Sequence, residues 1–215
     1  MTAMLDRSNL FLDVPLNLRS RALLVLAVVC LVPSFLFPLW TMTMFAPQYP
    51  NGLRLGIYSH VLRGGNNNQD IREINVLNHY IGMHDLDEND FPEFKWIPFV
   101  IGAIGLLILR AVVMGRIKNA IDAAVVYVYF CLFSMWSFVS KLYSYGHNLA
   151  PTAAVKVPGF TPPFFGGQQI ANFEVYSYPG IASYTLGLAL LFMLAAVILA
   201  WRDGSLAIRL PRTNL

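Results

Sequence analysis

Charge is what this 215-residue chain has least of: Asp, Glu, Lys and Arg together make up 13% of it, about half the share of an ordinary soluble domain. Hydrophobic residues supply 56%, so much of the surface must face something other than water. Cysteine is nearly absent. Cys30 and Cys131 both lie inside long apolar runs, form no CxxC, haem-attachment or zinc spacing, and read as small apolar residues against lipid or at a helix interface. No basic cluster with interleaved aromatics occurs, which argues against a nucleic-acid partner despite the net charge of +3. No Ser/His/Asp motif, HExxH or phosphate-binding glycine loop is present, so a protein that is not an enzyme is expected. The apolar runs are themselves free of Asp, Glu, Lys, Arg and His in their interiors; Arg110, Asp122 and Lys141 fall near the ends. Ion pathways and proton relays need ionisable groups at membrane depth, and a b-type haem needs histidine ligands there. Pumps, transporters and intramembrane cytochromes are disfavoured, and no haem is expected.

What is present is four stretches near the roughly 20 residues that a bilayer core requires. The expected fold class is an all-α membrane protein, a four-helix transmembrane bundle with a small mixed α/β outer loop region. Its segments are a cytoplasmic tail (1–21), a first span (22–44), outer loop 1 (45–96), a second span (97–113), a cytoplasmic loop (114–119), a third span (120–140), outer loop 2 (141–180), a fourth span (181–201) and a cytoplasmic tail (202–215). Pro33 and Pro38 are expected to bend the first span, and Lys95 and Trp96 to sit among the headgroups. Arg7, Arg19 and Arg21, then Arg110, Arg116 and Lys118, then Arg202, Arg209 and Arg212 flank one side of the spans. Outer loop 1 is net acidic, so the positive-inside rule places both termini in the cytoplasm of a bacterial inner membrane. The basic tail ahead of the first span is long and no small-x-small site follows promptly, so that span is read as uncleaved.

Specific chemistry is thereby pushed onto the outer loops. In loop 1, LRLGIYSHV alternates as a half-buried strand does, and RGGNNNQ reads as a turn or mobile loop. Asp70 and Glu73 form a capping-box pattern ahead of IREINVLNHYI, with Asp70 as N-cap and Gly82 as the residue that ends the helix. Around that end, NHYIGMHD carries His79, Met83 and His84. Imidazole with thioether suits copper, thioether especially Cu(I). Met42 and Met44 leave the first span on the same side, and His60 and His147 lie outside as well. The candidate metal ligands are therefore His79, Met83, His84, Met42, Met44, His60 and His147, against the plainer reading of hydrogen-bonded histidines and packing methionines. Asp85–Asp90 lacks the glycine and glutamate of a calcium loop and reads as a solvated acidic turn. Loop 2, rich in Pro, Gly and aromatics, reads as extended turns rather than a regular domain. Phe160, Phe164, Phe165, Phe173, Tyr176 and Tyr178 should pack on loop 1, on the membrane surface or on a partner.

The strings PLW...APQYPNGL, INVLNHYIGM with a following FPEFKW, and KVPGF...PP...G...IANF...YPG resemble a family of bacterial four-span membrane proteins. Its members look like accessory proteins encoded near periplasmic copper-enzyme systems, notably nitrous-oxide reductase maturation. The resemblance covers about half the chain and, residue by residue, touches Asn78, His79, Gly82 and Met83. It implies an accessory protein that binds or hands on copper at its periplasmic face. The alternative is a structural subunit of a larger membrane complex, such as a copper membrane monooxygenase or respiratory assembly, with no metal site of its own. Both readings have the lipid bilayer as surroundings and a membrane or periplasmic protein as partner through the outer loops.

Overall fold

The computed structural model describes residues 12–209, the side chains of 204–209 excepted. Arg7, Arg212 and the side chain of Arg209, counted in the basic clusters, lie outside the described residues. In chain order the elements are α1 (Leu18–Leu31), a 3-10 turn (Val32–Phe35), β1 (Trp40–Ala46), β2 (Tyr49–Ile57), β3 (Leu62–Gly64), α2 (Gln69–Ile81), a 3-10 turn (Glu88–Asp90), α3 (Glu93–Met114), α4 (Ile117–His147), β4 (Gly166–Ile170), β5 (Phe173–Pro179) and α5 (Ile181–Arg209). They fall into two compact units: residues up to Val32 with Phe99–Cys131 and Thr185 onward, and Pro33–Pro98 with Leu132–Tyr184.

Four helical stretches are long and apolar enough to cross a membrane: Leu18–Phe35, Glu93–Met114, Ile117–His147 and Ile181–Asp203. In the first unit their buried residues recur every three or four positions, as on one helix face: Leu24, Ala27 and Leu31; Ile101, Ile104, Ile108 and Ala111; Ala189, Met193, Ala196 and Ala200. The opposite faces are equally apolar, with Leu106, Leu109, Val113, Leu191, Leu194 and Ile198 exposed. A helix apolar all round is suited to lipid or a protein core, not to water. Asn17 caps α1, its side-chain oxygen accepting from the Ser20 amide at 2.7 Å. The corner between α3 and α4 is clamped by the residues before α1. The Leu16 amide donates to the Gly115 carbonyl (2.7 Å), the Ile117 amide donates to that of Val14 (3.0 Å), and Arg116 and Lys118 each reach Asp13 at 3.2 Å. Those two cations, the Lys118 hydrogen bond first, hold the Asp13 carboxyl below its ordinary range. Gly115 has φ +64°, and the Arg21 guanidinium occupies the space a Cβ would need.

The second unit holds what the sequence reading missed. It contains a five-stranded antiparallel sheet of order β3-β2-β1-β5-β4, made from the end of the expected first span and from the segments expected as loops 1 and 2. The first span was expected to run helical to Met44. Instead the helix ends at Leu31, a 3-10 turn follows to Phe35, and Trp40–Ala46 is a strand. Pro33 and Pro38 remove amide donors from the stretch that a continued helix would need, and Trp-Thr-Met-Thr-Met alternates with the period of a strand. Loop 2 is likewise not a set of turns alone. Phe-Glu-Val-Tyr-Ser-Tyr buries every second residue, and β5 pairs with β1 from Trp40 opposite Pro179 to Phe45 opposite Glu174.

On the covered face of the sheet, Leu53, Leu55, Phe173 and Val175 join Ile74, Leu77 and Ile81 of α2 in one core. The loop-1 helix forms as expected, but Asp70 is not its N-cap. The helix starts at Gln69, after Asn66, Asn67 and Asn68 in the left-handed region. Asp70, 2% exposed, turns inward and accepts from the Arg54 amide and the Asn66 side chain, both at 2.8 Å. A carboxylate that satisfies a strand amide from inside the first helical turn stitches β2 to α2, while Asn68 at the N-cap turns its side chain to the Gly64 amide at 2.9 Å and makes no side-chain cap bond.

Candidate functional site

The NHYIGM string is first of all a helix stop. Gly82 has φ +81°, its amide donates to the His79 carbonyl at 3.2 Å, and the Met83 amide donates to that of Asn78 at 2.8 Å. These are the two bonds of a Schellman motif, and Met83 completes it by packing against the core. The same end seats a segment of loop 2. The Gly82 carbonyl accepts from the Ala150 amide at 2.7 Å and that of Tyr80 from the Val155 amide at 3.0 Å. A Cβ on residue 82 would stand 2.8 Å from the Cβ of Ala153 and 2.9 Å from the Ala150 carbonyl oxygen. Glycine is required twice, for its backbone angle and for close approach.

The seven candidate ligands have the following surroundings. His79 is exposed on α2. His84 is exposed, with Nδ1 3.4 Å from the Asp90 carboxylate and 3.2 Å from the Asp85 carbonyl, and its ring lies edge-on to Tyr145. His60 lies in the turn after β2, its Nδ1 3.3 Å from the Ser59 hydroxyl. His147 ends α4, donating through Nδ1 to the Tyr143 carbonyl at 3.0 Å and stacking on that tyrosine at 3.8 Å. Met42, Met44 and Met83, by contrast, all pack against one hydrophobic core. Among the described residues, no three His, Cys, Asp or Glu side chains are placed to hold a metal ion.

The feature that sequence reasoning did not find is the sheet's other face. β1 contributes Thr41, Thr43 and Phe45, opposite Tyr178, Tyr176 and Glu174 of β5. Phe45 meets Tyr176 edge-on with centroids 5.9 Å apart, and Phe165 meets Tyr178 the same way at 5.4 Å. Exposure is 64% for Phe165 and 45% for Tyr178. Tyr176 donates to the Glu174 carboxylate, which raises the phenol's pKa. The Arg63 guanidinium lies 4.9 Å from the centre of the Tyr58 ring. Other rings turn inward: the Trp40 indole donates to the Ser177 hydroxyl at 2.7 Å and packs on Phe138 and Phe164. The aromatics of loop 2 thus divide by parity, Phe173 to the core and Tyr176 and Tyr178 outward. The signal was in the sequence, in the period of FEVYSYP, but Gly and Pro on either side masked it.

No protein-family model, curated protein or solved structure matches the chain. Ser59 and His60 are the hydroxyl–imidazole pair brought together in the second unit. What that unit also offers is a sheet with a partly exposed aromatic face, in a chain that also carries membrane-length helices.

Proposed function

We propose that this chain is a non-catalytic subunit of a membrane protein assembly, and that its sheet is the platform on which a partner protein docks. The observation that carries this is the open face with Phe45, Phe165, Tyr176 and Tyr178 exposed around paired edge-on rings. Exposed aromatic groups of this size are costly to leave in water and are enriched in interfaces. In this reading the four apolar helices pack as a bundle in a bacterial inner membrane with both termini cytoplasmic. The sheet then faces the periplasm, and the partner is a membrane or periplasmic protein. A reporter fused after Leu215 should be active on the cytoplasmic side; activity outside removes this orientation. Extraction in mild detergents followed by native mass measurement tests the docking. The expected result is an assembly heavier than the 24.1 kDa chain, weakened by the double change Phe165→Ser and Tyr178→Ser. A lone chain in every gentle detergent refutes it.

A second reading rests on Met42, Met44 and Met83 each packing against the same hydrophobic core. Three thioethers are a soft donor set for Cu(I), and the resemblance to copper-system accessory proteins points the same way. His79 or His84 would then supply imidazole from the adjoining surface. Cu(I) titration of the purified chain should give reduced affinity for Met83→Leu and for Met42→Leu with Met44→Leu, swaps that keep side-chain volume. Equal stoichiometry and affinity in all variants, including His79→Ala, removes the copper reading.

A further inference from the structure

The two edges of the sheet are finished differently. At one edge, β3 has three residues and lies against α2. A Cβ on Gly64 would stand 2.9 Å from the Ile71 amide nitrogen, and one on Gly65 would collide with the Asp70 carboxylate. That edge is short and covered by a helix, two of the usual devices against unwanted strand pairing. At the other edge lies β4, Gly-Gly-Gln-Gln-Ile, with Gly167, Gln168 and Gln169 exposed. It has no charge, no proline and no bulge, and pairs with β5 through five consecutive positions without a register shift. Among the described residues no strand pairs with its outer side.

The hairpin geometry says which main-chain groups are left open. Ile170 and Phe173 are register partners across the two residues Ala171 and Asn172, with Ala171 at φ +51°. In such a two-residue hairpin the flanking pair exchanges both hydrogen bonds, and the pattern then alternates along the ladder. Ile170, Gln168 and Gly166 therefore bond inward to β5, while the amides and carbonyls of Gly167 and Gln169 point away from the sheet. The Tyr176 ring lies over Gly167, where a Cβ would meet it at 2.6 Å. An aromatic placed on a glycine in this way pins the register of an edge strand. The edge is thus pinned in register and open, and the exposed rings of Tyr176, Tyr178 and Phe165 belong to the same hairpin and the residue before it.

We infer that β4 is a strand-addition site: an extended segment of a different polypeptide pairs with Gly167 and Gln169 and becomes the sixth strand. Main-chain bonds would supply the pairing, and the neighbouring rings would select a segment with apolar residues at alternate positions. A second copy of this chain is the poorer occupant. The chain enters β1 at Trp40 from the first apolar helix and leaves β5 at Pro179 for the last, and those residues are register partners. Copies inserted in one membrane in the same sense are tethered through the same end of the sheet. Antiparallel pairing of two β4 strands then needs both copies' strands to lie across the membrane normal, a constraint that a separate extended segment is free of.

This inference rests on the docking reading, and the test separates the two. The assembly is isolated from native membranes in mild detergent, and hydrogen exchange across residues 165–170 is compared with that of the separated chain. Strand addition slows the Gly167 and Gln169 amides by about tenfold or more, the equivalent of about 1.4 kcal/mol of added protection, and leaves Gln168, already bonded to β5, little changed. Gln169→Pro removes an outward donor without touching the β5 ladder and should abolish both the slowing and the assembly. Gln169→Lys, a charge on the same edge, should do so without a backbone change. An assembly that forms while Gly167 and Gln169 still exchange freely, or that survives both variants, overturns strand addition and leaves docking by the open face standing. An assembly whose mass is a simple multiple of this chain overturns the choice of a different partner. No assembly in any detergent removes the docking reading itself.

Discussion

Gly82→Ala should release the loop-2 segment that α2 holds. Residue 82 sits at φ +81°, where an L side chain costs about 1–2 kcal/mol. The new methyl group also falls 2.8 Å from the Cβ of Ala153 and 2.9 Å from the Ala150 oxygen, so backbone must move, at about 1–3 kcal/mol. Together these give a local loss of about 3 kcal/mol, close to a hundredfold in an opening equilibrium. The segment has two main-chain tethers here, Ala150 to Gly82 and Val155 to Tyr80, each worth about 1 kcal/mol net, so the strain exceeds what they can hold. Native-state hydrogen exchange read at the Ala150 and Val155 amides should accelerate to that of an open segment, by about thirtyfold for the roughly 2 kcal/mol the tethers supply. Gly82→Asn, which tolerates the backbone angle but not the close approach, should lose somewhat less. His79→Ala, on the exposed side of the same turn, should leave both amides alone. Unchanged exchange in Gly82→Ala would refute the seating argument, as would equal acceleration in His79→Ala.

Two further outcomes follow from the packing. Asp70→Ala removes the acceptor of the part-buried Arg54 amide, and chemical denaturation of the variant should show a loss of about 1–3 kcal/mol; Asp70→Asn, which keeps an acceptor, should lose less. The clamp of Asp13 on Arg116 and Lys118 should be pH-sensitive at the acid end. Because the folded carboxyl titrates below its unfolded value, its contribution is present above roughly pH 4 and is lost as pH falls through the lowered folded value. Exchange at the Leu16 and Ile117 amides, corrected for intrinsic rate, should therefore rise in acid, and Asp13→Asn should show the raised rate at neutral pH.

The parts of this protein legible in the sequence are those set by neighbours along the chain. Whether a helix prefers lipid is a sum over about 20 consecutive side chains, so the four membrane-length stretches could be read directly. The stop at Gly82 was readable because a left-handed cap needs glycine whatever lies around it. The end of the first helix was not, since Trp40–Met44 carries no charge to close the apolar run and its short alternation becomes a strand through pairing with β2 and β5. Asp70 fitted a cap by spacing, yet an amide from β2 competed successfully for its carboxylate.

Tertiary structure alone decided the sheet. β1 lies beside β5, with Trp40 bonded to Ser177 across 137 residues of chain, and no local preference specifies which distant strand completes a ladder. That pairing also settled which aromatics are buried and which stand outward, because register assigns every residue of a strand to one face or the other. It left β4 at an edge with its main chain open, a property of position in the sheet that Gly-Gly-Gln-Gln-Ile does not carry by itself.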